Sequence, residues 1–388
     1  MHLLTAGVLL CVAFASGARQ NIDPKVEFQE SLKKVAQLSL LLRHREQEPE
    51  FSFARPAQLA GVDDFDCNTA PSKVYPKLPI GGQRRGRTHA HWSREYRGLA
   101  FSAGCDGSLR SHASLPNILR KFNPRLFGCS RGHGDEDNWE VARFNVAVPG
   151  EEAFSMERQP KHLLQLMRLR LTKQQFYQDW KLLTIHIGGN DLCHYCRDVR
   201  KYSPRSWARQ VAKVVRMVKR TIPRVIVSVT GPPHVEIMDE VYKESLYCKV
   251  VGKVMCKCMG RVPTSSLRHI VNAYYKELAK YQFKREFTDS DTFALVAQPF
   301  AVGSIKAPRK SNGKIDHSFT APDCFHWSTK GHDTAGRVLW NNLMEPVGKK
   351  TFYKSTADAA NHKLNCPDEN CPFIRTPANS ENCAKFLN

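Results

Sequence analysis

The chain has 388 residues, enough to bury a large core as one big domain or two modest ones. With 41% hydrophobic and 24% charged residues, its composition excludes a disordered or fibrous protein. The formal charge of +21 favours anionic partners. With no nucleic-acid motif present, those are anionic lipid surfaces and acidic glycans rather than nucleic acid.

Leu3 to Ala15 form an apolar run too short to span a bilayer, and small residues follow at Ser16, Gly17 and Ala18. This predicts a secretory signal peptide over residues 1–18. The competing reading, supported by the scarcity of basic residues at the start, is a buried N-terminal strand. Removing Cys11 with the signal takes the 13 cysteines to twelve, an even number that suits disulfides in an oxidising compartment. No second long apolar stretch follows. The expectation is a secreted, extracellular protein with no transmembrane segment after signal removal.

Residues 19–66 read as an N-terminal arm or pro-region, helix-like from Lys25 to Arg45, where Val35, Leu38, Leu41 and Leu42 recur near helical spacing. From Cys67 to Trp92 the chain is rich in Pro, Gly and Arg, and Gly81 to Arg87 fits neither a strand nor a helix period. Clusters such as Arg84, Arg85 and Arg87, or Lys213, Arg216, Lys219 and Arg220, read first as solvated surface.

After Leu99 strands and helices alternate. Leu182–Ile187 is an apolar strand broken at Gly188-Gly189, and Trp207–Thr221 is an amphipathic helix with Val211, Val214, Val215 and Val218 on one face. Val225–Val229 is a β-branched strand, Tyr274–Phe283 a helix and Phe293–Ala297 a strand. Ser328 caps a helix reaching Asn342. Such alternation predicts a mainly parallel sheet covered on both faces, with chemistry beyond the carboxyl ends of its strands.

Three short constellations could carry that chemistry. Asp323 and His326, three apart, can place a carboxylate against one imidazole nitrogen and leave the ring a base. Asn190, in Gly188-Gly189-Asn190-Asp191 directly after a strand, can donate to a developing oxyanion, although Gly, Asn and Asp also make plain turns. Gly150, closing Asn145 to Pro149, offers an unobstructed N–H for the same purpose. Cys193-His194-Tyr195-Cys196 could be a zinc half-site, but in an oxidising compartment structural disulfides are the better reading, there and at Cys256-Lys257-Cys258.

In this order the constellations resemble the phospholipase B family of GDSL/SGNH hydrolases. So do Leu115 to Pro124, Asp179 to Leu182, Gln298-Pro299-Phe300 and Trp340 to Gly348, and the resemblance covers residues 97 to 350. It implies a flavodoxin-like α/β/α sandwich over residues 67–350, followed by a cysteine-containing tail over 351–388. It further implies cleavage of phospholipid or lysophospholipid acyl esters through a Ser–His–Asp triad with no metal cofactor. Asp323 and His326 match the family's last block, Asn190 and Gly150 its two oxyanion donors.

The nucleophile block has no match. Where the family closes its first core strand with Gly-Asp-Ser-Leu, this chain runs from Pro71 to Tyr75 straight into the Gly/Arg-rich stretch, with only Ser72 and Ser93 as serines. The expected sheet therefore lacks its first core strand and exposes unpaired edges. Cys105-Asp106-Gly107-Ser108-Leu109 is a decoy, since its extra glycine turns Ser108 out of a tight strand-to-helix elbow and the family has a glycine-rich loop there. Loss of one coding segment from an active enzyme explains the gap more simply than loss of function, because His326, Asp323 and Asn190 persist. The remaining readings are a non-catalytic lipid- or partner-binding homologue and a cationic zinc- or glycan-binding protein.

Overall fold

Four apolar runs build one parallel sheet. In the computed structural model, which describes residues 6–12, 95–321 and 323–387, these are β1 (Ala6–Val12), β2 (Trp180–His186), β3 (Val225–Thr230) and β4 (Phe293–Gln298). The order in space is the order in sequence. Leu183 lies beside Val227, and Val227 beside Leu295. The expected arm over 19–66 with its helix-like Lys25 to Arg45, the Gly81 to Arg87 stretch, Ser72 and Ser93 all lie outside the described residues.

The principal helices are α1 (Leu115–Phe122), α2 (Arg158–Arg170), α3 (Gly189–His194), α4 (Pro204–Thr221), α5 (Met238–Glu244), α6 (Leu246–Met255), α7 (Thr264–Tyr281) and α8 (Thr329–Met344). Successive residues of β2 serve opposite faces, as the period of two in a strand requires. Leu183 joins a core with Val211, Val215 and Trp207 of α4 and Tyr274 of α7. Leu182 joins another with Leu115 and Ile118 of α1 and Leu339 and Trp340 of α8. Helices therefore cover both faces of the sheet, as expected. Trp207 and Tyr274 stack with ring centres 4.7 Å apart, locking α4 to α7.

Three expectations need correction. Among the described residues no Gly-Asp-Ser-Leu strand lies beside β2, yet the edge of β2 is not bare. Ala6–Val12, the apolar run of the expected signal, pairs with β2 in parallel from Ala6 beside Trp180 to Val12 beside Ile185. The pairing is that of the uncleaved chain and bears on the edge of β2, not on whether residues 1–18 are removed. An inner strand's edge N–H and C=O groups need partners, and an all-apolar segment suits a sheet covered on both faces. Second, α7 begins at Thr264, ahead of the expected Tyr274, because Leu267, Ile270 and Val271 already face the core at helical spacing. Third, the stretch from Asn145 to Pro149, which by itself reads as a strand end before Gly150, lies outside the four strands.

Candidate active site

β2 is buried from Lys181 to His186, and the chain then bends at Gly188, whose φ of 116° lies in the left-handed region. A side chain there would also collide, since a Cβ would lie 2.9 Å from Trp207 Nε1 and 3.0 Å from Pro232 Cδ. The bend starts α3 and sets Asn190 in its first turn, so this motif is a helix start rather than a plain turn. Asn190 is buried, and its Nδ2 donates to the Glu151 carbonyl at 3.2 Å. Gly150, the residue before, has φ 87°. The two expected oxyanion donors thus come from touching segments.

Those segments are tied a second time. Asp191 accepts from the Ala153 N–H with both oxygens, each at 3.2 Å. Burial, and then the neighbouring Glu152, push the Asp191 carboxyl up to about 8. Glu152 accepts from His194 Nδ1 at 2.8 Å, from the Tyr202 hydroxyl at 3.0 Å and from Lys201 Nζ at 3.2 Å. Burial alone would raise Glu152, but His194 and Lys201 outweigh it and hold the carboxylate below its usual range. The sequence carries no motif for this network, because its partners lie 42 and 50 positions from Glu152.

The second half of the site is local. Cys324, at φ 55°, reverses the chain between Asp323 and His326, and the Ala321 N–H donates to the His326 carbonyl at 2.8 Å. Asp323 Oδ1 accepts from the backbone N–H groups of Phe325 and His326, both at 2.9 Å. Its Oδ2 lies 2.7 Å from His326 Nδ1. Burial would raise the Asp323 carboxyl, but the adjacent imidazole and these hydrogen bonds hold it below the usual range. Burial likewise lowers His326, and the Asp323 charge more than reverses that, leaving the imidazole above its ordinary value. The imidazole keeps 26% of its side-chain surface accessible, against 11% for Asp323. Just beyond, Ser328 Oγ accepts from the Gly331 N–H and caps α8, as expected.

Packing brings the two halves to the same edge of the sheet. The Trp327 ring stacks on that of His186, the last residue of β2, with centres 5.7 Å apart. Phe101 and Phe300 complete the cluster. Asp323 and His326 therefore sit beyond the carboxyl end of β2, where Gly188 begins α3. His186 and His332 are pushed down to about 3, chiefly by burial, so both are neutral packing groups.

Both short cysteine motifs are oxidised, as expected. Cys193 bonds Cys256 and Cys196 bonds Cys258, so the two short cysteine motifs are cross-linked to each other. This removes the thiolates that a zinc reading needs. Ser108 follows no strand. It is exposed in a turn before α1, its N–H donates to Ser111 Oγ at 2.9 Å, and its own Oγ lies 3.4 Å from that oxygen. No elbow presents it as a nucleophile.

The GDSL-like Lipase/Acylhydrolase family model matches residues 81–339, two-thirds of the chain. A parallel sheet covered by helices on both faces is consistent with that match, and the chain belongs to this family. It is 37% identical over 294 residues to "Phospholipase B1, membrane-associated" of Homo sapiens. Over 296 residues it is 36% identical to the Mus musculus protein of the same name, and over 293 residues 35% identical to that of Rattus norvegicus. Each match covers 74% of this chain and 20% of the relative, so the chain spans about a fifth of the length of these proteins. No solved structure matches it.

Proposed function

We propose that the chain is a secreted phospholipase B-like carboxylic ester hydrolase acting on phospholipid or lysophospholipid acyl esters, and that as written it lacks its nucleophile. Asp323 would hold the His326 tautomer and stabilise the imidazolium as the ring takes a proton from a serine hydroxyl. The Asn190 amide and the Gly150 N–H would receive the oxyanion of the tetrahedral intermediate. The single observation that carries the reading is the 2.7 Å contact between Asp323 Oδ2 and His326 Nδ1. Supporting it are the tie from Asn190 to the carbonyl after Gly150 and the names of the matching relatives.

Without a serine at the elbow, the His326 imidazole lacks the hydroxyl that a triad deprotonates. Loss of a triad member typically costs on the order of a million-fold in turnover. The chain as written should neither cleave acyl esters detectably nor react with a fluorophosphonate probe. A version with a Gly-Asp-Ser-Leu strand restored between Val74 and Arg97 should do both. Labelling of the unrestored chain at Ser108 would overturn the nucleophile assignment. Silence after restoration, in a protein that folds, would leave the non-catalytic lipid-binding reading in its place.

A further inference from the structure

Helix α6 has two unlike faces. Its inner face buries Tyr247, Cys248, Val251, Gly252 and Met255. Its outer face carries Leu246, 47% exposed, with exposed Lys249 and Lys253 and half-buried Val250. At 100° per residue these four fall within one arc of the helix. From Leu246 to Lys257 the sequence contains no acidic residue.

The acids of neighbouring α5 do not neutralise this face. Glu240 and Glu244 are engaged by Arg309, at 2.6 and 3.6 Å, and Asp239 accepts from the Thr264 hydroxyl at 3.0 Å. Among the described residues, Lys243, Lys249 and Lys253 form no ion pair. The face thus pairs one exposed leucine with lysines that have no acidic partner among the described residues. It suits the boundary of an anionic lipid layer, where the apolar side chain enters the acyl region and the lysine heads stay at the phosphates.

The inner face leads to the candidate site. Cys248 is bonded to Cys324, between Asp323 and His326. α5 is locked against α6 at Gly252, where a Cβ would lie 2.1 Å from the Tyr242 ring. Beyond Lys257 the chain passes Arg261, which lines an open cleft of about 690 Å³ together with Tyr195, Val199, Val262 and His269. The combination of apolar and cationic groups thus continues past the helix.

We propose that the outer face of α6 docks the protein on an anionic phospholipid layer, placing the Asp323–His326 pair about one helix diameter, ~10 Å, from the lipid. The choice of a lipid partner rests on the ester-hydrolase reading above. The charge pattern that selects an anionic layer does not.

The test is co-sedimentation of the full chain with vesicles of phosphatidylcholine alone or mixed with phosphatidylserine. Each lysine at such a surface is worth roughly fivefold in partitioning, so Lys249→Gln with Lys253→Gln should weaken binding to the mixed vesicles about 30-fold. Leu246→Gln should weaken it several-fold, and all variants should melt where the parent does. Arg205→Gln with Arg209→Gln removes the same charge from exposed positions on α4 and should leave binding close to the parent value. Equal losses from both double variants would show diffuse attraction by net charge and overturn the proposal. So would failure of the parent to bind mixed vesicles, or sensitivity of heparin binding alone to the α6 changes. If a nucleophile-restored chain cleaves a soluble short-chain ester but ignores vesicles, docking fails and the hydrolase reading stands. If it docks through α6 but cleaves nothing, docking stands and the hydrolase reading fails.

Discussion

Cys324, in the left-handed bend between Asp323 and His326, is bonded to Cys248 on α6 across 76 residues of chain. A short loop that could otherwise sample many conformations is thereby held against a helix. The constraint acts on the residue next to the carboxylate whose oxygens organise the bend.

Removing that bond with Cys248→Ala and Cys324→Ala should lower unfolding free energy by about 4 kcal/mol, since a crosslink closing so long a loop removes much entropy from the unfolded chain. Urea unfolding measures the loss. The His326 imidazole should also titrate lower as its contact with Asp323 loosens. A stability loss with an unmoved imidazole would mean that the disulfide holds the fold but not the pair.

Asp323→Asn should bring the His326 imidazole back down toward or below its ordinary value, readable by NMR titration of the ring. The sign of the stability effect follows from the two shifts. His326 is raised in the fold, so its contribution is complete below its unfolded value of about 6.5 and fades as pH rises through the folded one. Asp323 is lowered, so its contribution is present above about 3.9 and fades as pH falls through the folded value. The gap between parent and variant should peak between these limits, at roughly 1–3 kcal/mol for a charge-assisted hydrogen bond. A gap that does not change with pH would refute the pairing.

Asp191 works in the opposite sense. Its carboxyl is pushed up to about 8 in the fold, so between pH ~4 and ~8 the folded state holds a proton that the unfolded state releases. Stability due to this group therefore falls as pH rises through that window. Asp191→Asn keeps an oxygen for the Ala153 N–H and removes the titration. Its stability relative to the parent should improve by roughly a few kcal/mol from pH 5 to pH 8. Parallel melting curves for the two proteins across that range would show that Asp191 is already ionised.

Gly188→Ala should destabilise by about 2 kcal/mol or more. It combines a φ of 116° with a Cβ only 2.9 Å from Trp207 Nε1, and the Trp207 ring is locked in the core by Tyr274. Gly189→Ala is the control, since a Cβ there meets nothing within 4 Å. Equal midpoints for the two variants in thermal unfolding would contradict this account of the bend.

Read alone, the sequence determined the features that depend on near neighbours. The runs read as Leu182–Ile187 and Val225–Val229 become β2 and β3 because apolar, β-branched residues bounded by glycine and proline have no better arrangement inside a covered sheet. The Ser328 cap and the Asp323–His326 pair were legible for the same reason, each being complete within three residues. Only the tertiary structure decided what lies beside the edge of β2, that the cysteine motifs at 193 and 256 cross-link to each other, and that Glu152 gathers His194 and Tyr202. Periodicity and capping act over one or two turns of chain. Partners 42 to 76 positions apart are selected by which buried surfaces fit, and a strand edge accepts whichever apolar segment can reach it.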